Sequence, residues 1–264
     1  MSNQPDRDLR ARLRFAHGLL DRTDVVALTA FRGELEIRAK PDRTLVTVAD
    51  TAVETLIREA LADAYPADGV LGEEQGAEAG SSGARWIVDP IDATHNFVRG
   101  IAIFGTLLAF ERDGELVLGA VSAPALGQRW SAIRGGGAHL RDHVGKRPIA
   151  VSRIDRWEEA HLLHSSIGRL DDSQETALAA MARSAWRNRG FGDFWAHMLV
   201  AQGSAEAMIE AGLQPWDLAA PAVIVTEAGG RVSDFAGNPT WLGPEAVSTN
   251  GLLHAEVLGR LSPS

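Results

Sequence analysis

A short apolar segment that runs into two closely spaced carboxylates is the feature that most restricts what this chain can fold into. Residues 86–97 read Trp-Ile-Val-Asp-Pro-Ile-Asp-Ala-Thr-His-Asn-Phe. We expect a buried strand that carries Asp89 to its end, where Pro90 stops pairing because proline lacks the amide hydrogen that a β-ladder needs. Asp92 follows three residues later at the start of a turn or helix, so both carboxylates can converge on one point.

Two converging carboxylates suit a magnesium ion, which takes oxygen ligands and keeps several waters. Asp89 and Asp92 fit that role, together with the carbonyl of Ile91. The amides of Ala93 and Thr94 come next, at a predicted helix start where unpaired N–H groups favour an anion such as phosphate. Taken alone, an Asp-x-x-Asp sequence is more often a simple strand-ending turn.

Composition limits the partners of such a site. The formal net charge of −9 argues against nucleic acid or an anionic membrane, since both require a cationic surface. The absence of cysteine excludes disulfides, thiolate nucleophiles and cysteine-type zinc sites. The charged beginning of the chain and the lack of a long apolar run predict a cytoplasmic enzyme.

The apolar spacing predicts a mixed α and β chain in two halves. Helices are predicted at 6–31, from Asp50 and Thr51 to before Pro66, and near 174–185, 195–202 and 217–228. Strands are predicted at 69–72, 85–89, 103–112, 116–123, 128–133, 138–141, 162–166, 185–189, 207–210 and 231–235, with a loop at 76–83. We therefore expect one unit over 1–264, with a metal-site half at 1–145 and a specificity half at 146–264.

Four motifs in order resemble the inositol monophosphatase family. Residues 86–97 resemble its first signature, a strand running into Asp-Pro-(Ile or Leu)-Asp-Gly-Thr-x-Asn-Phe, and residues 216–220 with 225–230 are similar to its second. Residues 71–74 and 45–50 match two upstream segments. The resemblance implies an α+β fold, a layered α/β/α/β/α sandwich of the inositol monophosphatase and fructose-1,6-bisphosphatase (sugar phosphatase) type, usually a homodimer.

The resemblance also implies a Mg²⁺ site of two or three ions. The implied ligands are Glu73, Asp89, the Ile91 carbonyl, Asp92 and Asp217. Without the other motifs, Glu73 would more often be solvated and Asp217 a helix N-cap. In this family's chemistry water attacks phosphorus directly, and Thr94 with Asp50 or Glu73 is placed to orient the water and accept its proton. Thr94 has helix capping as its alternative role.

Two positions depart from the family pattern. Ala93 stands where glycine is usual, and a methyl group there is harmless in a right-handed helical backbone but strained in a left-handed one. His95 stands where lysine is frequent. We expect His95 near the surface rather than on a metal, because no second histidine lies at ligand spacing.

Substrate choice is expected to depend on Asp193 and Glu210, which join Ala93, Thr94 and Asp217 as predicted substrate or phosphate contacts. Asp193 stands where inositol-type members commonly have a small or hydroxyl residue. A buried carboxylate needs a charge partner or hydrogen bonds, so an acidic residue at position 193 suggests a cationic substrate group. Its alternative role is an N-cap for residues 194–202.

Residues 96–100, 121–126, 192–194 and 249–254 together resemble the actinobacterial histidinol-phosphate phosphatase branch. That resemblance implies hydrolysis of L-histidinol phosphate, in histidine biosynthesis, because its amine and imidazole would pair with the two acids. The alternative is inositol 1-phosphate or another cyclitol or sugar phosphate. A metal-binding dimer without catalysis is disfavoured, since every proposed ligand is present.

Overall fold

Two mixed β-sheets organise the residues that a computed structural model of the chain describes, which are 7–33, 37–39 and 45–261. The helices are α1 Arg7–Ala30, α2 Val48–Ala64, α3 Thr94–Val98, α4 Asp172–Ser184, α5 Asp193–Ala201, α6 Pro215–Glu227 and α7 His254–Leu261. The strands are β1 Ile37–Ala39, β2 Leu45–Thr47, β3 Gly69–Gly72, β4 Gly76–Glu78, β5 Ala84–Asp92, β6 Gly105–Arg112, β7 Glu115–Ala123, β8 Gln128–Ile133, β9 Ala138–Asp142, β10 Gly145–Ile149, β11 His161–His164, β12 Arg187–Arg189, β13 Ala207–Ala211, β14 Arg231–Ser233 and β15 Glu245–Thr249.

The larger sheet has eight strands in the order β10-β9-β8-β7-β6-β5-β3-β4, and the smaller has five in the order β12-β11-β13-β15-β14. Most neighbours in the larger sheet are antiparallel, as expected for the first half. The exception is β3 beside β5, which run parallel, so their carboxyl ends meet at one edge. This edge carries the candidate site.

Alternating residues of β5 show why the helices form layers. Trp86 and Val88 are buried with α1 and α2 on one face of the larger sheet, whereas Ile87 is buried with α5 and α6 on the other. The smaller sheet packs one face on α5 and the other on α4 and α7. The order is therefore α/β/α/β/α, which confirms the predicted layered sandwich.

The predicted end of β5 was wrong. The strand continues through Pro90 to Asp92, which pairs with Gly105, and its register shifts between Asp89 and Asp92. This irregularity accommodates a residue without an amide hydrogen, as bulges do. The Pro90 carbonyl remains bonded, accepting a hydrogen bond from Thr106 Oγ1 at 2.8 Å.

Most other predicted elements are present, with ends shifted by a few residues. The predicted helix at 6–31 is α1, and its residue 6 lies outside the described residues. The predicted loop at 76–83 begins with the exposed edge strand β4, and β1, β2, β10, β15 and α7 were not predicted. Within the described ranges, none of the helices has the length and apolarity needed to cross a membrane.

Candidate active site

A cleft of about 510 Å³ opens where β3 and β5 end and where α5 and α6 begin. Nine of the ten predicted site residues line it: Glu73, Asp89, Ile91, Asp92, Ala93, Thr94, Asp193, Glu210 and Asp217. The tenth, Asp50, is fully buried behind the lining, with its Oδ1 3.5 Å from Thr94 Oγ1. The fold therefore brings together residues that lie up to 167 positions apart in the chain.

Asp89 and Asp92 stand at the end of β5 and are 1% and 7% exposed. Burial raises the pKa of Asp89 well above its ordinary value, and the negative charge of Glu73 adds to the rise. Burial likewise raises the pKa of Asp92, with a further contribution from Asp193. Burying both Asp89 and Asp92 in the ionised form costs free energy unless a positive charge lies nearby.

Asp89 Oδ1 is buried and has no hydrogen-bond partner, whereas Asp92 Oδ2 accepts a hydrogen bond from the Phe194 amide at 2.8 Å. Buried carboxylate oxygens without partners are uncommon in folded proteins and call for an explanation. A hard cation that prefers oxygen ligands would supply the missing partner. The residues present therefore fit Mg²⁺.

Glu73 and Asp217 complete the acidic lining from two other elements. The Glu73 amide donates to the Val88 carbonyl at 3.2 Å, which ties the residue after β3 to β5. Asp217 lies in the first turn of α6, where its Oδ2 accepts from the Gln214 amide at 2.7 Å, and burial raises its pKa to about 8. Asp217 thus closes a capping box from the third helical position, and Gln214 is the N-cap.

No three acidic or imidazole side chains among residues 7–33, 37–39 and 45–261 are already grouped tightly enough to hold an ion. The ligand set thus rests on the acidic lining and on the unpartnered oxygen of Asp89. Burial is the main cause of the raised pKa values of Asp89, Asp92 and Asp217, and repulsion among carboxylates that share the site adds to it. A bound cation would remove that repulsion.

Asp50 is fixed by the start of α2. Its Oδ2 accepts from the Thr47 hydroxyl at 2.5 Å and from the Thr47 amide at 2.8 Å, which forms a capping box. Burial raises the pKa of Asp50 to about 6. The other oxygen, Oδ1, faces Thr94, whose hydroxyl also lies 3.0 Å from the Ile91 carbonyl. A hydroxyl hydrogen serves one acceptor at a time, so Thr94 can turn between them.

The alternative capping roles were wrong for Thr94 and Asp193. The N-cap of α3 is Ala93 and that of α5 is Gly192, and neither helix has a side-chain cap. Ala93 has φ 64° and Asp193 has φ 58°, both in the left-handed region that costs residues other than glycine roughly 1–2 kcal/mol. Strained residues of this kind concentrate at functional sites. Of the two backbone conformations expected for Ala93, the structure therefore has the left-handed one, in which the methyl group causes strain.

Asp193 of α5 and Glu210 of β13 form an acidic wall of the cleft next to Asp92. Burial, together with the charge of Glu210, raises the pKa of Asp193 to about 7. In the described part of the chain no cationic side chain pairs with Asp193, although Arg169 also lines the cleft. His95 is exposed and lines the cleft, which confirms its predicted place near the surface.

Sequence reasoning missed Glu54, which is fully buried beneath the segment that carries Glu73. Its Oε2 accepts from the Glu74 amide at 2.7 Å, and its Oε1 accepts from the Gln75 amide at 3.1 Å and from Arg58 Nε at 2.8 Å. Its position on the apolar face of α2, with arginine four residues later, was a detectable signal. A glutamate on a buried helix face is expected to have a charge or hydrogen-bond partner, because glutamate is rarely buried without one.

Comparison with known proteins agrees with this geometry. The sequence profile of the inositol monophosphatase family matches residues 8–262. A histidinol-phosphatase of Streptomyces coelicolor is 42% identical over 95% of this chain and 96% of its own length, and one of Mycobacterium tuberculosis is 43% identical over 95% and 97%. The solved IMPase of Thermotoga maritima has a TM-score of 0.86 and 30% identity, covering 95% of this chain and 96% of its own.

Proposed function

Because the chain belongs to the inositol monophosphatase family and is a phosphoric monoester hydrolase, we propose that it hydrolyses L-histidinol phosphate with Mg²⁺. Enzymes of this family are metal-dependent phosphatases of small phosphorylated metabolites. The proposal concerns which ester enters the cleft and which residues act on it.

The observation that carries the substrate proposal is the acidic wall of Asp193 and Glu210. These carboxylates line the cleft beside Asp92, and within the described residues Asp193 has no cationic partner. A ligand bearing an amine would supply the partner, and charge-assisted hydrogen bonds of this kind are among the stronger ones. An uncharged cyclitol would leave the wall without compensation. Two relatives at 42% and 43% identity that are named histidinol-phosphatases support the same choice.

The proposed magnesium ligands are the carboxylates of Glu73, Asp89, Asp92 and Asp217 with the carbonyl of Ile91, for two or three ions. When bound, Mg²⁺ supplies Lewis acidity toward phosphate oxygens and lowers the pKa of water. The unpartnered oxygen of Asp89 and the presence of all four carboxylates in the cleft lining support this ligand set.

The remaining steps belong to the chain's own groups. The amides of Ala93 and Thr94, which follow the carboxylates at the cleft, are proposed to hold the phosphate together with the Thr94 hydroxyl. The Thr94 hydroxyl orients the water that attacks phosphorus, and Asp50 behind it accepts the water's proton through Thr94, at a separation of 3.5 Å. The bond from phosphorus to the ester oxygen breaks, and the alcohol leaves after taking up a proton from solvent. Glu73 is the alternative acceptor. No side-chain nucleophile is needed.

We extend the proposal to the domain organisation and the oligomeric state of the chain. The metal-site half at 1–145 and the specificity half at 146–264 form one unit, since the cleft draws Glu73 and Asp92 from the first and Asp193 and Asp217 from the second. A homodimer in the cytoplasm remains the expectation from the family resemblance.

The test compares kcat/KM for L-histidinol phosphate and inositol 1-phosphate at saturating Mg²⁺. We expect the wild type to prefer histidinol phosphate, and Asp193→Ser to lose about 10-fold or more of that preference, as expected for one charge-assisted contact. Glu175→Gln, which removes an exposed carboxylate on α4, is the matched control and keeps the preference. Preference of the wild type for inositol 1-phosphate would overturn the substrate assignment.

A further inference from the structure

His197 lies fully buried between the two layers that form the acidic wall, and nothing in the reaction described above uses it. Its Nε2 is 3.0 Å from Glu210 Oε2, and its Nδ1 is 2.7 Å from Ser248 Oγ. The three side chains belong to α5, β13 and β15, and the residues are 1%, 4% and 0% exposed. They form a chain of hydrogen bonds that leads from the interior of the smaller sheet to the cleft.

The chemistry of the acceptors fixes the direction of these bonds. A carboxylate oxygen accepts, so Nε2 is assigned as the donor to Glu210. In that tautomer Nδ1 accepts, and the Ser248 hydroxyl donates to it. Ser248 thereby selects the tautomer that presents an N–H to Glu210, in the way that a partner on one ring nitrogen determines the role of the other.

The second oxygen of Glu210 is held by the same helix. Glu210 Oε1 accepts from the Asp193 amide at 3.1 Å, and Asp193 lies four residues, about one turn, before His197 in α5. The next amide, that of Phe194, donates to Asp92 Oδ2. One turn of α5 therefore contacts both oxygens of Glu210, through the Asp193 amide and His197 Nε2. The same turn donates to one oxygen of Asp92, a proposed metal ligand.

This arrangement links the orientation of Glu210 to that of Asp193. Asp193 has φ 58°, a left-handed conformation that a residue with a side chain adopts only when its surroundings hold it. The bond from its amide to Glu210 is one such restraint. If Glu210 could rotate, both carboxylates of the acidic wall would lose their positions together.

We propose that His197, oriented by Ser248, is a positioning residue that fixes the Glu210 carboxylate at the cleft and thereby sets the preference for a phosphate ester with a cationic leaving group. The inference rests on the proposed function for the identity of that ester. His197 itself lies behind the wall and does not contact the substrate.

The test measures the preference ratio, defined as kcat/KM for L-histidinol phosphate divided by kcat/KM for glycerol 2-phosphate, in the full-length Mg²⁺-loaded enzyme. His197→Leu should lower the ratio about 10-fold or more, mainly through KM for histidinol phosphate, because it removes a hydrogen bond to a charged group. His197→Gln retains an N–H donor and should restore most of the ratio. Equal losses on both esters, or an unchanged ratio, would overturn the proposal.

His254→Leu is the matched control, because His254 is also fully buried and bonded through both ring nitrogens, to Ser233 and Thr249. It should lower the melting temperature and leave the preference ratio unchanged. If the ratio falls as far as in His197→Leu, the loss is a general effect of removing a buried histidine, and the positioning role of His197 is refuted. Where His197→Leu fails to fold, Ser248→Ala replaces it and should lower the ratio in the same direction by a smaller factor.

A double-mutant cycle separates this inference from the substrate assignment. In a Glu210→Gln background, His197→Leu should change the ratio less than about twofold, since its effect passes through Glu210. Full additivity of the two changes would overturn the positioning role. A wild type that prefers glycerol 2-phosphate would refute only the assignment of histidinol phosphate as the substrate. The positioning role of His197 would then be decided by the same double-mutant cycle, measured with the preferred ester.

Discussion

Replacement of Gly72 by alanine should disturb the site without touching any of its residues. Gly72 ends β3, directly before Glu73. A Cβ atom there would lie 2.1 Å from Glu54 Oε1, 2.5 Å from Glu54 Cδ and 2.9 Å from an Arg58 guanidinium nitrogen. These distances are far below ordinary contact, so the Glu54 carboxylate must move. It then leaves the Glu74 and Gln75 amides and its ion pair with Arg58.

The size of the effect follows from those lost bonds. Hydrogen bonds to a charged group are each worth about 1.5–3 kcal/mol, and breaking a buried ion pair costs about 3–5 kcal/mol. Because these terms overlap at one carboxylate, we expect Gly72→Ala to lower the free energy of unfolding by about 3–5 kcal/mol. For a chain of this size that corresponds to a fall in melting temperature of roughly 6–20 °C.

Thermal and urea unfolding of the metal-free protein measure this loss. Gly18→Ala is the matched control, since Gly18 lies inside α1 with no atom within 4 Å of an added Cβ, and it should stabilise by about 1 kcal/mol. The Mg²⁺ concentration for half-maximal activity should also rise in Gly72→Ala, because Glu73 follows directly. A melting temperature within 2 °C of the wild type, on the order of the change that 1 kcal/mol produces, would refute the role of Glu54.

Three further predictions concern single residues. Ala93→Gly should leave the free energy of unfolding unchanged or raise it by up to about 1 kcal/mol, whereas Ala93→Val should lower it by about 2 kcal/mol or more, because φ is 64°; urea unfolding measures both. Asp50→Asn should lower kcat about 100-fold with little change in KM, since it removes a proton acceptor behind Thr94; unchanged kcat would exclude that role. Burial lowers the pKa of His254 to about 4, so the unfolded state binds more protons between pH 6.5 and 4. The stability advantage of the wild type over His254→Gln, from urea unfolding, should therefore fall by about 3 kcal/mol as the pH drops through that window, and a constant difference would contradict it.

Local sequence patterns were sufficient where a segment's structure depends on its own residues. The predicted strands at 69–72 and 128–133 have the bounds of β3 and β8, because apolar side chains there end at clear turn residues. The buried face of α2 was likewise visible in the spacing of Val53, Ile57 and Leu61. The layered fold itself was inferred from the family resemblance.

Elements that depend on distant partners were not visible in this way. β10 is an exposed edge strand of the sequence Gly-Lys-Arg-Pro-Ile, without alternating apolar residues, and exists through its pairing with β9. β5 continues past Pro90 because Asp92 finds a partner in Gly105, 13 positions later. Pairing of this kind is a tertiary effect that overrides local preference.

The same distinction holds for the cleft. The acidic residues were found because they follow recognisable motifs, and the cleft brings them together. Glu54 and His197 were missed because their roles arise from contacts with the amides of Glu74 and Gln75 and with Glu210, which no motif records. The left-handed backbone of Asp193 was equally hidden, since residues other than glycine adopt it only under tertiary constraint. At Ala93 the glycine of the family pattern raised the left-handed backbone only as one of two alternatives.

Metal removal followed by add-back tests whether the carboxylate cleft is a magnesium-dependent phosphatase site. Phosphate release from L-histidinol phosphate is measured after chelation with EDTA, and again after excess Mg²⁺ is added, in the wild type and in Asp89→Asn. Mg²⁺ should restore the wild type from near-zero activity and leave Asp89→Asn at least about 100-fold lower, because Asp89 holds the unpartnered buried oxygen. Full activity in the chelated wild type would show that the reaction does not need Mg²⁺, and full restoration of Asp89→Asn would exclude Asp89 as a required metal ligand.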